Sequence, residues 1–499
     1  MKSSLEKVQF FEKMEEQGVA LTFDDVRLRT QSGSATELPK VIDIQSQFSR
    51  EVSLKVPFVS AAMDTVTGGD MAIEMAKLGG LGVIHSAMTI AEQRTEVRRV
   101  KKEVNGLIEE PICVDQDSSL QSVLNMCFDR KFNFRTFPVV DGNRKLVGVI
   151  SGKDFEYPDD YSGPVSSAMT PVDSIVVAPT GTSIEDAYHK MQSAKKNTLP
   201  LLSEDGTVGG LYVFSDVSRI HRNIDHYNVD KNGQLISAAA VSTISPTSDT
   251  MERIEALEKY LDVVVLDTAD GDSFYAFRTL DQIKSTFSDL DIVVGNVSEG
   301  ASARELAEHG ADGIKVGQGP GSICTTRRET GIGMPQVTAV HDCVEALGND
   351  FADVPVCADG GIAQHGDIAI AFAAGAHSVM MGRMLAGTKE APGELFTRSD
   401  GSVWKRYRGM GSQEALLENA ASRERYGAQG GVFLPEGIAA QVGYEGPADG
   451  VLSLCILALR KSMRYVKAPD IIYLRENTNL RRITNAGLRE SHPHDVDSK

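Results

Sequence analysis

The sequence lacks the features that mark secreted, membrane-spanning and nucleic-acid-binding proteins. Its six cysteines are scattered without a CxxC pair, which argues against a disulfide framework or a zinc site and favours the reducing cytoplasm. No run of about 18 apolar residues occurs, so we expect no membrane span. The polar start MKSSLEKVQF is unlike a signal peptide. Basic residues number 51 against 69 acidic ones, and the net charge of −18 argues against a nucleic-acid partner.

What the sequence does contain is a regular succession of apolar segments, each short enough to be a strand covered on both faces. They are residues 56–60, 81–84, 235–241, 263–266, 292–294, 313–316, 354–357 and 378–381. Helical segments such as 71–78 and 301–308 lie between them, each closely followed by a glycine. Eight strand–helix units predict an α/β protein with a (β/α)8 TIM barrel, although a doubly wound sheet would give the same alternation.

The regular alternation of strands and helices is interrupted between residues 84 and 235, where the chain contains an internal repeat. In each copy an aspartate follows a strand proline by 16 residues: Asp154 follows Pro138, and Asp216 follows Pro200. The pattern resembles a tandem pair of CBS motifs, a Bateman module, at about residues 109–222. The predicted domains are therefore a barrel in two parts, residues 1–108 and 223–499, around a regulatory insertion.

The resemblance to CBS pairs implies that Asp154 and Asp216 contact the ribose hydroxyls of a regulatory nucleotide, ATP or GTP. A pair that serves only as a spacer is the alternative. The helices of the two copies are predicted to begin at capping boxes, Ser118-x-x-Gln121 and Thr182-x-x-Glu185.

Two segments near the C-terminus are unlike barrel helices. Residues 399–446 are rich in glycine, arginine and tyrosine and show little periodicity. A long irregular segment in a compact enzyme is more often a lid than a passive loop, so we expect a mobile flap there. The polar tail, residues 487–499, has the composition of a frayed end.

The strongest local signal is GQGPGSICTTR, residues 317–327, directly after the sixth predicted strand. Loops that follow the strands of a barrel form its active-site face. Ser322 can bind a phosphate, and Cys324 can act as a nucleophile if its thiolate is favoured or a proton acceptor is near. A lone free cysteine is more often a small buried residue. A loop so rich in glycine and hydroxyl groups would not be apolar core, and this favours a reactive thiol.

Polar residues follow four other predicted strands: Asp267, Asn296, Asp359-Gly360-Gly361 and Gly382-Arg383. Glycine and arginine after the seventh and eighth strands suit the usual phosphate site of such barrels. A single aspartate at a strand end would more often cap a helix. Together with the cysteine loop, these strand ends predict a small anionic ligand, a nucleophilic thiol and a mobile cover.

Several long motifs resemble the inosine-5′-monophosphate (IMP) dehydrogenase family, to which GMP reductase is related, and they occur in order along nearly the whole chain. They are LTFDDV (21–26), PFVSAAMDTVT (57–67), KVGQGPGSICTTR (315–327), ADGGI (358–362), GRMLAG (382–387), YRGMGS (407–412), LPEGI (434–438) and GLRESHPHDV (487–496). The resemblance implies NAD-dependent oxidation of IMP to XMP in guanine nucleotide synthesis.

The resemblance also implies a covalent mechanism. Cys324 would attack C2 of the purine, hydride would pass to NAD, and water would resolve the thioimidate. Arg425 and Tyr426 match the pair that the family uses as base and partner, with Thr326 sharing the proton. An arginine base is unusual, because a guanidinium is normally charged at all accessible pH values.

The same resemblance implies the binding residues. Those for the nucleotide are Met63, Ser322, Asp359, Gly360, Gly361, Gly382, Arg383, Tyr407, Gly409, Met410, Gly411 and Glu436. Those for the dinucleotide are Asp267, Thr268, Asn296, Gly317 and Gly319. A potassium ion would be held by the carbonyls of Gly319, Gly321 and Cys324, and Glu490, Ser491 and His492 would complete its site from a neighbouring subunit. A homotetramer is therefore expected, and an octamer stays open.

Two other functions are weighed against this one. GMP reductase shares the barrel and the cysteine loop, but Arg425-Tyr426 and the ESHPHD tail favour the dehydrogenase, because a reductase needs no water-activating pair. A nucleotide sensor without catalysis is disfavoured by the presence of Cys324 and Thr326 together with that pair. Gln318, where an aliphatic residue is usual, and the acids of residues 268–273 depart from the family and bear on dinucleotide affinity.

Overall fold

The chain divides into two compact units in the computed structural model, which describes residues 2–31, 41–104, 106–130, 132, 134–158, 160–243, 248–426 and 434–494. The first unit comprises residues 1–102 and 226–499, and the second comprises residues 103–225. The predicted insertion, residues 109–222, falls inside the second unit. Its identity as a pair of CBS motifs stays a prediction.

Eight parallel strands close into a barrel in the first unit. They are β1 Phe58–Ser60, β2 Leu81–Ile84, β3 Ala238–Val241, β4 Val263–Asp267, β5 Asp291–Val297, β6 Gly313–Val316, β7 Val356–Asp359 and β8 Ser378–Met381. Each strand pairs with the next along the chain, and β8 pairs with β1 to close the barrel. The predicted (β/α)8 fold is confirmed, and a doubly wound sheet is excluded because that sheet would have two open edges.

Each barrel strand is followed by a helix on the outside of the barrel. The helices are α1 Gly69–Lys77, α2 Ile90–Lys102, α3 Thr250–Leu257, α4 Phe274–Thr286, α5 Gly300–Glu308, α6 Gln336–Leu347, α7 His365–Ala374 and α8 Ala448–Tyr465. Short helices Thr326–Thr330 and Arg383–Ala386 precede α6 and α8, and a 3-10 turn, Glu258–Tyr260, follows α3. The predicted helices at 71–78 and 301–308 are α1 and α5.

The interior of the barrel is filled mainly by alanine and valine side chains from the strands, with Phe48 and Leu54 contributed by the segment before β1. Each fully buried valine or leucine contributes roughly 1.5–3 kcal/mol. Gly82 of β2 lets α1 approach closely, since a Cβ there would lie 2.4 Å from the Cα of Ala72. Lys315 of β6 is a charged residue buried among these side chains, with a relative exposure of 1%.

Smaller elements complete the first unit. They are the N-terminal helix Lys2–Glu16, the 3-10 turn Phe23–Asp25, the antiparallel pair Val26–Leu28 with Leu480–Arg482, the pair Ser46–Gln47 with Ser53–Leu54, and the helices Ile471–Asn477 and Asn485–Glu490. Phe11 joins the N-terminal helix to α6 by stacking on His341, with ring centroids 3.6 Å apart.

The segment at 399–446 is not irregular throughout, contrary to the prediction. A three-stranded antiparallel sheet forms from Leu395–Thr397, Val403–Arg408 and Ala439–Gly443, and the helices Gln413–Glu418 and Ala420–Arg425 lie between the last two strands. The polar residues that make this sheet hard to recognise in the sequence have hydrogen-bond partners in the structure. Buried Lys405, for example, donates to the carbonyl oxygen of Thr388 at 2.9 Å. Residues 427–433 lie outside the described part, and the mobility of this flap stays a prediction.

The second unit contains two four-stranded sheets. One has the order Thr170–Pro171, Leu146–Ile150, Phe137–Val140, Val114–Asp115, and the other Ala178–Pro179, Thr198–Leu202, Val208–Val213, Leu107–Ile108. The helices are Leu120–Asp129, Ile184–Ala194 and Phe214–Asn223, with 3-10 turns at Gly152–Phe155, Val165–Ser167 and Val172–Ser174. Each sheet has its own apolar core.

The predicted capping boxes of this unit are wrong by one residue. Ser119, rather than Ser118, accepts from the amide of Ser122, and Ser183, rather than Thr182, accepts from that of Asp186. In both copies two hydroxyl residues are adjacent, Ser118-Ser119 and Thr182-Ser183, and the second of each pair is the N-cap of the helix.

A membrane span would need a long helix of apolar residues. The part of the chain that the structure describes contains no helix that combines this length with this composition.

Candidate active site

The loop after β6 depends on glycines at two positions where a side chain would not fit. Gly317 has φ +149°, and a Cβ there would lie 2.1 Å from the carbonyl oxygen of Asp359. Gly319 has φ +82°, and a Cβ there would lie 2.5 Å from the side chain of Arg327. Arg327 donates from Nε to the carbonyl of Gln318 at 3.0 Å. The loop is thus folded against the end of β7 and braced by its own arginine.

Cys324 lies half-buried in this loop and lines a cleft at the mouth of the barrel. Its Sγ is 3.1 Å from Oγ1 of Thr326, and its amide donates to the carbonyl of Gly321 at 3.0 Å. Elsewhere, burial raises the pKa of the Cys357 thiol to about 12 and that of Cys455 to about 11. Such thiols are unreactive at neutral pH. Among the described cysteines, Cys324 is the one that lines this cleft.

Most of the predicted site residues line this cleft together with Cys324. They are Met63, Asp267, Asn296, Gly317, Gly319, Gly321, Asp359, Gly360, Tyr407, Gly409, Met410, Gly411, Arg425, Tyr426 and Glu436. Residues that the sequence did not single out also line it, namely Ala61, Ala62, Lys315, Pro320, Ile323, Met380 and Gly437. Most of these are apolar or glycine, and they carry no chemical signal in a sequence.

Four further predicted residues, Ser322, Gly361, Gly382 and Arg383, are not among those that line the cleft, and three of them are connected to it through Tyr407. The hydroxyl of Tyr407 is hydrogen-bonded to the side chain of Ser322 and lies within the field of Arg383. Gly382 leaves room for it, since a Cβ there would lie 3.1 Å from the Tyr407 hydroxyl. Burial raises the pKa of Tyr407 to about 12, so its hydroxyl is a neutral donor. Gly361, with φ +81°, makes the turn after β7. Hydroxyls, a guanidinium and open glycine backbone suit an anion such as phosphate.

A buried ionic cluster lies at the floor of the cleft. Nζ of Lys315 is 2.9 Å from Oδ1 of Asp267 and 2.8 Å from Oδ2 of Asp359, and it also donates to Oδ1 of Asn296. Nδ2 of Asn296 donates to Oδ2 of Asp359 at 2.9 Å. Sequence reasoning gave Lys315 no role, although a charged residue inside an apolar barrel strand is a recognisable signal, because burying a charge is costly unless it is paired.

Arg425 and Tyr426 reach the same cleft from the flap, at the end of the helix Ala420–Arg425. The guanidinium of Arg425 forms an ion pair with Asp267, and its Nε is buried without a hydrogen-bond partner in the described part of the chain. Tyr426 lies against Gly411, where a Cβ would be 2.6 Å from the ring. Burial raises the pKa of the Tyr426 hydroxyl, so it is neutral.

The flap is hydrogen-bonded to the segment after β1 through Arg408, and to the loop after β6 through Glu436. Arg408 donates from Nε to Oδ2 of Asp64 at 3.0 Å. The amide of Thr325 donates to the carbonyl of Glu436 at 2.8 Å, and the amide of Glu436 donates to the carbonyl of Gly411 at 2.9 Å. These contacts hold the flap residues beside Cys324.

A second groove shares Arg425, Tyr426 and Glu436 with the cleft. It is also lined by Thr268, Ala269, Asp270, Asp272, Ser273, Tyr275, Ser298, Glu299, Gln318, Thr326 and Glu424. The predicted residues Thr268 and Thr326 therefore belong to this groove. Burial, together with the charge of Asp272, raises the pKa of Asp270. The groove is markedly acidic.

Gln318, the departure from the usual aliphatic residue, is fully engaged. Its Nε2 donates to the carbonyl of Ala269 at 3.2 Å, and its Oε1 accepts from the hydroxyl of Ser298 at 2.7 Å. The polar side chain therefore ties the catalytic loop to the wall of the second groove.

The residues predicted for the potassium site from a neighbouring subunit lie on the surface. Glu490 ends the helix Asn485–Glu490, and Ser491 and His492 follow it, all three exposed. A single chain does not test a site shared between subunits, so this role stays a prediction.

In the second unit, both predicted nucleotide ligands already have partners. Oδ2 of Asp154 accepts from the amide of Ser151 at 2.7 Å and from its hydroxyl at 2.8 Å. Asp216 forms an exposed ion pair with Arg219 at 3.1 Å. Binding of a ribose by these carboxylates would have to share or replace these contacts, and it stays a prediction.

Comparison with known proteins gives a consistent result along the whole chain. Residues 20–494 match the model of the IMP dehydrogenase / GMP reductase domain. The inosine-5′-monophosphate dehydrogenases of Aquifex aeolicus and Halalkalibacterium halodurans are each 41% identical, over 480 and 482 residues, and that of Streptococcus pyogenes is 40% identical over 480. These alignments cover 95% of this chain and 95–96% of each relative.

Solved structures of the same fold include a cysteine-to-alanine variant of GMP reductase from Trypanosoma brucei in complex with guanosine 5′-monophosphate. It is 34% identical, with a TM-score of 0.83 over 97% of this chain and 100% of that one. A second structure of that variant gives a TM-score of 0.72 at 33% identity, over 96% of this chain and 100% of that one. With the family model matched over almost its entire length, this chain belongs to the IMP dehydrogenase / GMP reductase family.

Proposed function

We propose that the chain oxidises IMP to XMP with NAD, through a covalent adduct on Cys324 that water resolves. One observation carries this proposal: the thiol of Cys324 and the Arg425–Tyr426 pair line the same cleft. A nucleophile alone would account for an adduct. A nucleophile facing a base and its partner accounts for hydrolysis of that adduct.

The cleft can hold a purine nucleotide in one orientation. Ser322, Tyr407 and the Gly382-Arg383 turn suit the phosphate, and Asp359 is placed to accept from ribose hydroxyls. Met63 and Met410 line the cleft with the thiol, where polarizable side chains suit the faces of a base. These residues support a position of the purine ring over Cys324.

The reaction then balances as two steps. The thiolate of Cys324 forms a bond to C2, and the hydride that leaves C2 is accepted by bound NAD. Water next adds to C2, the C–S bond breaks, and the thiol and XMP are released. In sum, IMP, NAD⁺ and water give XMP, NADH and a proton.

We assign to Arg425 the removal of the proton from water, because it lines the cleft with Cys324. Its Nε–H, buried without a hydrogen-bond partner among the described residues, is free to donate to that water. Thr326 and Tyr426 are the hydroxyls that can share the proton. Because Arg425 holds the carboxylate of Asp267, that carboxylate is not free for a nicotinamide ribose. We infer that the flap residues and the dinucleotide occupy this position in turn.

The second groove fits a dinucleotide without an additional phosphate. Hydroxyls and carboxylates of Thr268, Asp270, Ser273 and Ser298 are available to ribose hydroxyls. Asn296 and Gly317 line the adjoining nucleotide cleft. The acidic walls disfavour a 2′-phosphate, so we assign NAD rather than NADP as the hydride acceptor.

A potassium ion would be held by the carbonyls of Gly319, Gly321 and Cys324, since carbonyl oxygens suit a hard monovalent cation. Bound there, the ion would stabilise the loop that carries the thiol. Glu490, Ser491 and His492 from a neighbouring subunit would complete the site, so we propose a homotetramer and leave an octamer open. Six free cysteines favour the reducing cytoplasm as the compartment.

GMP reductase is the second candidate, and the likeness to the solved reductase structures favours it. That activity would use the same adduct and release ammonia instead of adding water. The Arg425–Tyr426 pair beside the thiol is the observation against it. A sensor without catalysis would have no use for the paired groups around Cys324.

The direct test follows absorbance of NADH with IMP and NAD, with and without potassium, and with GMP and NADPH as the control. We expect NADH formation that depends on IMP and is stimulated by potassium. Consumption of NADPH with GMP, and no oxidation of IMP, would instead establish the reductase.

Replacement of Cys324 by alanine should lower NADH formation by at least about 1000-fold, because no adduct can form. Cys113→Ala, a half-buried thiol of the second unit, serves as the matched control and should keep wild-type turnover. Undiminished activity of Cys324→Ala would remove the nucleophile assignment.

Arg425→Gln should separate the two half-reactions. In rapid mixing, the first turnover of NADH should form at nearly the wild-type rate, whereas steady-state turnover should fall about 100-fold or more, because the base acts only in hydrolysis. Arg406→Gln, an exposed arginine of the flap sheet, is the control. Equal loss of both phases would show that Arg425 acts before hydrolysis.

Asp270→Asn combined with Asp272→Asn should relax the choice of dinucleotide. We expect kcat/KM for NADP to rise at least about tenfold relative to NAD, because two repulsive charges are removed from the groove. Asp281→Asn, on α4 and paired with His309, is the control. An unchanged NAD to NADP ratio would contradict the role of these acids.

We propose that the second unit binds ATP or GTP and alters assembly or activity. Equilibrium dialysis of the full chain should detect binding of one of these nucleotides, and Asp154→Ala should weaken it because a ribose contact is lost. Absence of binding at millimolar concentration would leave the unit as a spacer.

A further inference from the structure

We propose that Lys315 is a positioning residue that fixes Asp267 and Asp359 relative to each other and, through Asp267, holds Arg425 in the cleft. The proposal rests on the proposed function, because it assigns these carboxylates to the two halves of that reaction. The sequence pattern around this lysine assigns it no role, and its role follows from its place in the barrel.

The ammonium of Lys315 has its hydrogen-bonding capacity fully used. It donates to Oδ1 of Asp267 at 2.9 Å, to Oδ2 of Asp359 at 2.8 Å, and to Oδ1 of Asn296. A lysine ammonium has three donors, so every one of them is committed to a residue of the site. At 1% relative exposure, the side chain is shielded from bulk solvent.

The position of Lys315 in the barrel makes it a bridge between the two halves of the site. It stands on β6, whereas Asp267 ends β4 and Asp359 ends β7. Asp359 belongs to the nucleotide cleft, and Asp267 is the partner of the flap arginine Arg425. One side chain therefore connects the residue that binds ribose with the residue that holds the base.

The charges of the cluster explain why a neutral residue would not serve. Two carboxylates and two cations, Lys315 and Arg425, meet at the floor of the cleft. Without Lys315, Arg425 alone would face two buried carboxylates, which would repel each other and move apart. Replacement of the whole cluster by apolar residues would cost the barrel core little stability, whereas removal of the lysine alone leaves carboxylates without their cation. The charge is thus explained by the site rather than by the fold.

A second buried lysine in the same barrel provides a matched control. Nζ of Lys101, at the end of α2, lies 2.8 Å from Asp230 and 2.7 Å from Asp262, and its relative exposure is 6%. Asp262 precedes β4, so this cluster is at the opposite end of the barrel from the cleft. Loss of Lys101 leaves Asp230 and Asp262 without this cation, and loss of Lys315 leaves Asp359 without it and Asp267 with Arg425 alone. Only the cluster of Lys315 belongs to the site.

The experiment compares Lys315→Met with Lys101→Met in the full-length chain. Thermal unfolding should shift to lower temperature in both. In Lys315→Met alone, KM for IMP should rise at least about tenfold, because Asp359 is displaced. The steady-state rate should also fall at least about tenfold relative to the first turnover of NADH, because Arg425 loses its fixed anchor. A structural lysine would not change this ratio.

Equal kinetic behaviour of the two variants would overturn the proposal. If Lys315→Met does not fold, Asp267→Asn tests the same bridge with Lys315 in place, and KM for IMP should then rise because the bridge to Asp359 is weakened from its far end. An unchanged KM for IMP in that variant would also overturn it. Wild-type protein without IMP-dependent NADH formation would instead refute the proposed function itself.

Discussion

The site depends on one electrostatic constraint, the pairing of four charges removed from water at the floor of the cleft. Lys315 and Arg425 are the cations, and Asp267 and Asp359 are the anions. Buried charges are tolerated only when each has a partner. Because Arg425 comes from the flap while the other three come from barrel strands, the position of the flap and the charge balance of the barrel are interdependent.

This constraint connects binding to chemistry. In the proposed function, a dinucleotide in the place of Arg425 would require Asp267 to exchange the guanidinium for ribose hydroxyls and the flap to move away. Once the dinucleotide left, Asp267 would again lack one cation, which would favour the return of Arg425 to the covalent adduct. On this proposal, the order of the two half-reactions follows from the competition of two partners for one carboxylate.

The parts of the fold and of the site that the sequence predicts well are those set by apolar periodicity and by motifs. All eight barrel strands are recognisable, because a strand buried on both faces is largely apolar. The flap sheet is not recognisable in the sequence, because its strand contains the charged residues Lys405 and Arg408 and therefore has the composition of a loop. In the structure both side chains are buried and hydrogen-bonded to carbonyl and carboxylate oxygens. Cys324 is recognisable from its sequence motif. The role of Lys315 is recognisable only in the folded barrel, where β6 brings it into contact with Asp267 of β4 and Asp359 of β7. Burial of satisfied polar groups is a tertiary property that a short window of sequence does not contain.

The dehydrogenase and the reductase share the barrel, and they differ in the reaction of the covalent adduct, which is hydrolysis by water in the dehydrogenase. Both chemistries need the nucleotide cleft and the thiol, so a shared fold does not decide between them. Water is a poor nucleophile until a base takes its proton, and a base is useful only while the adduct is exposed to it. Here the flap places Arg425 and Tyr426 beside Cys324, with Nε of Arg425 unpartnered among the described residues. Since release of ammonia from an adduct would not require such a group, the arrangement favours hydrolysis and therefore oxidation of IMP.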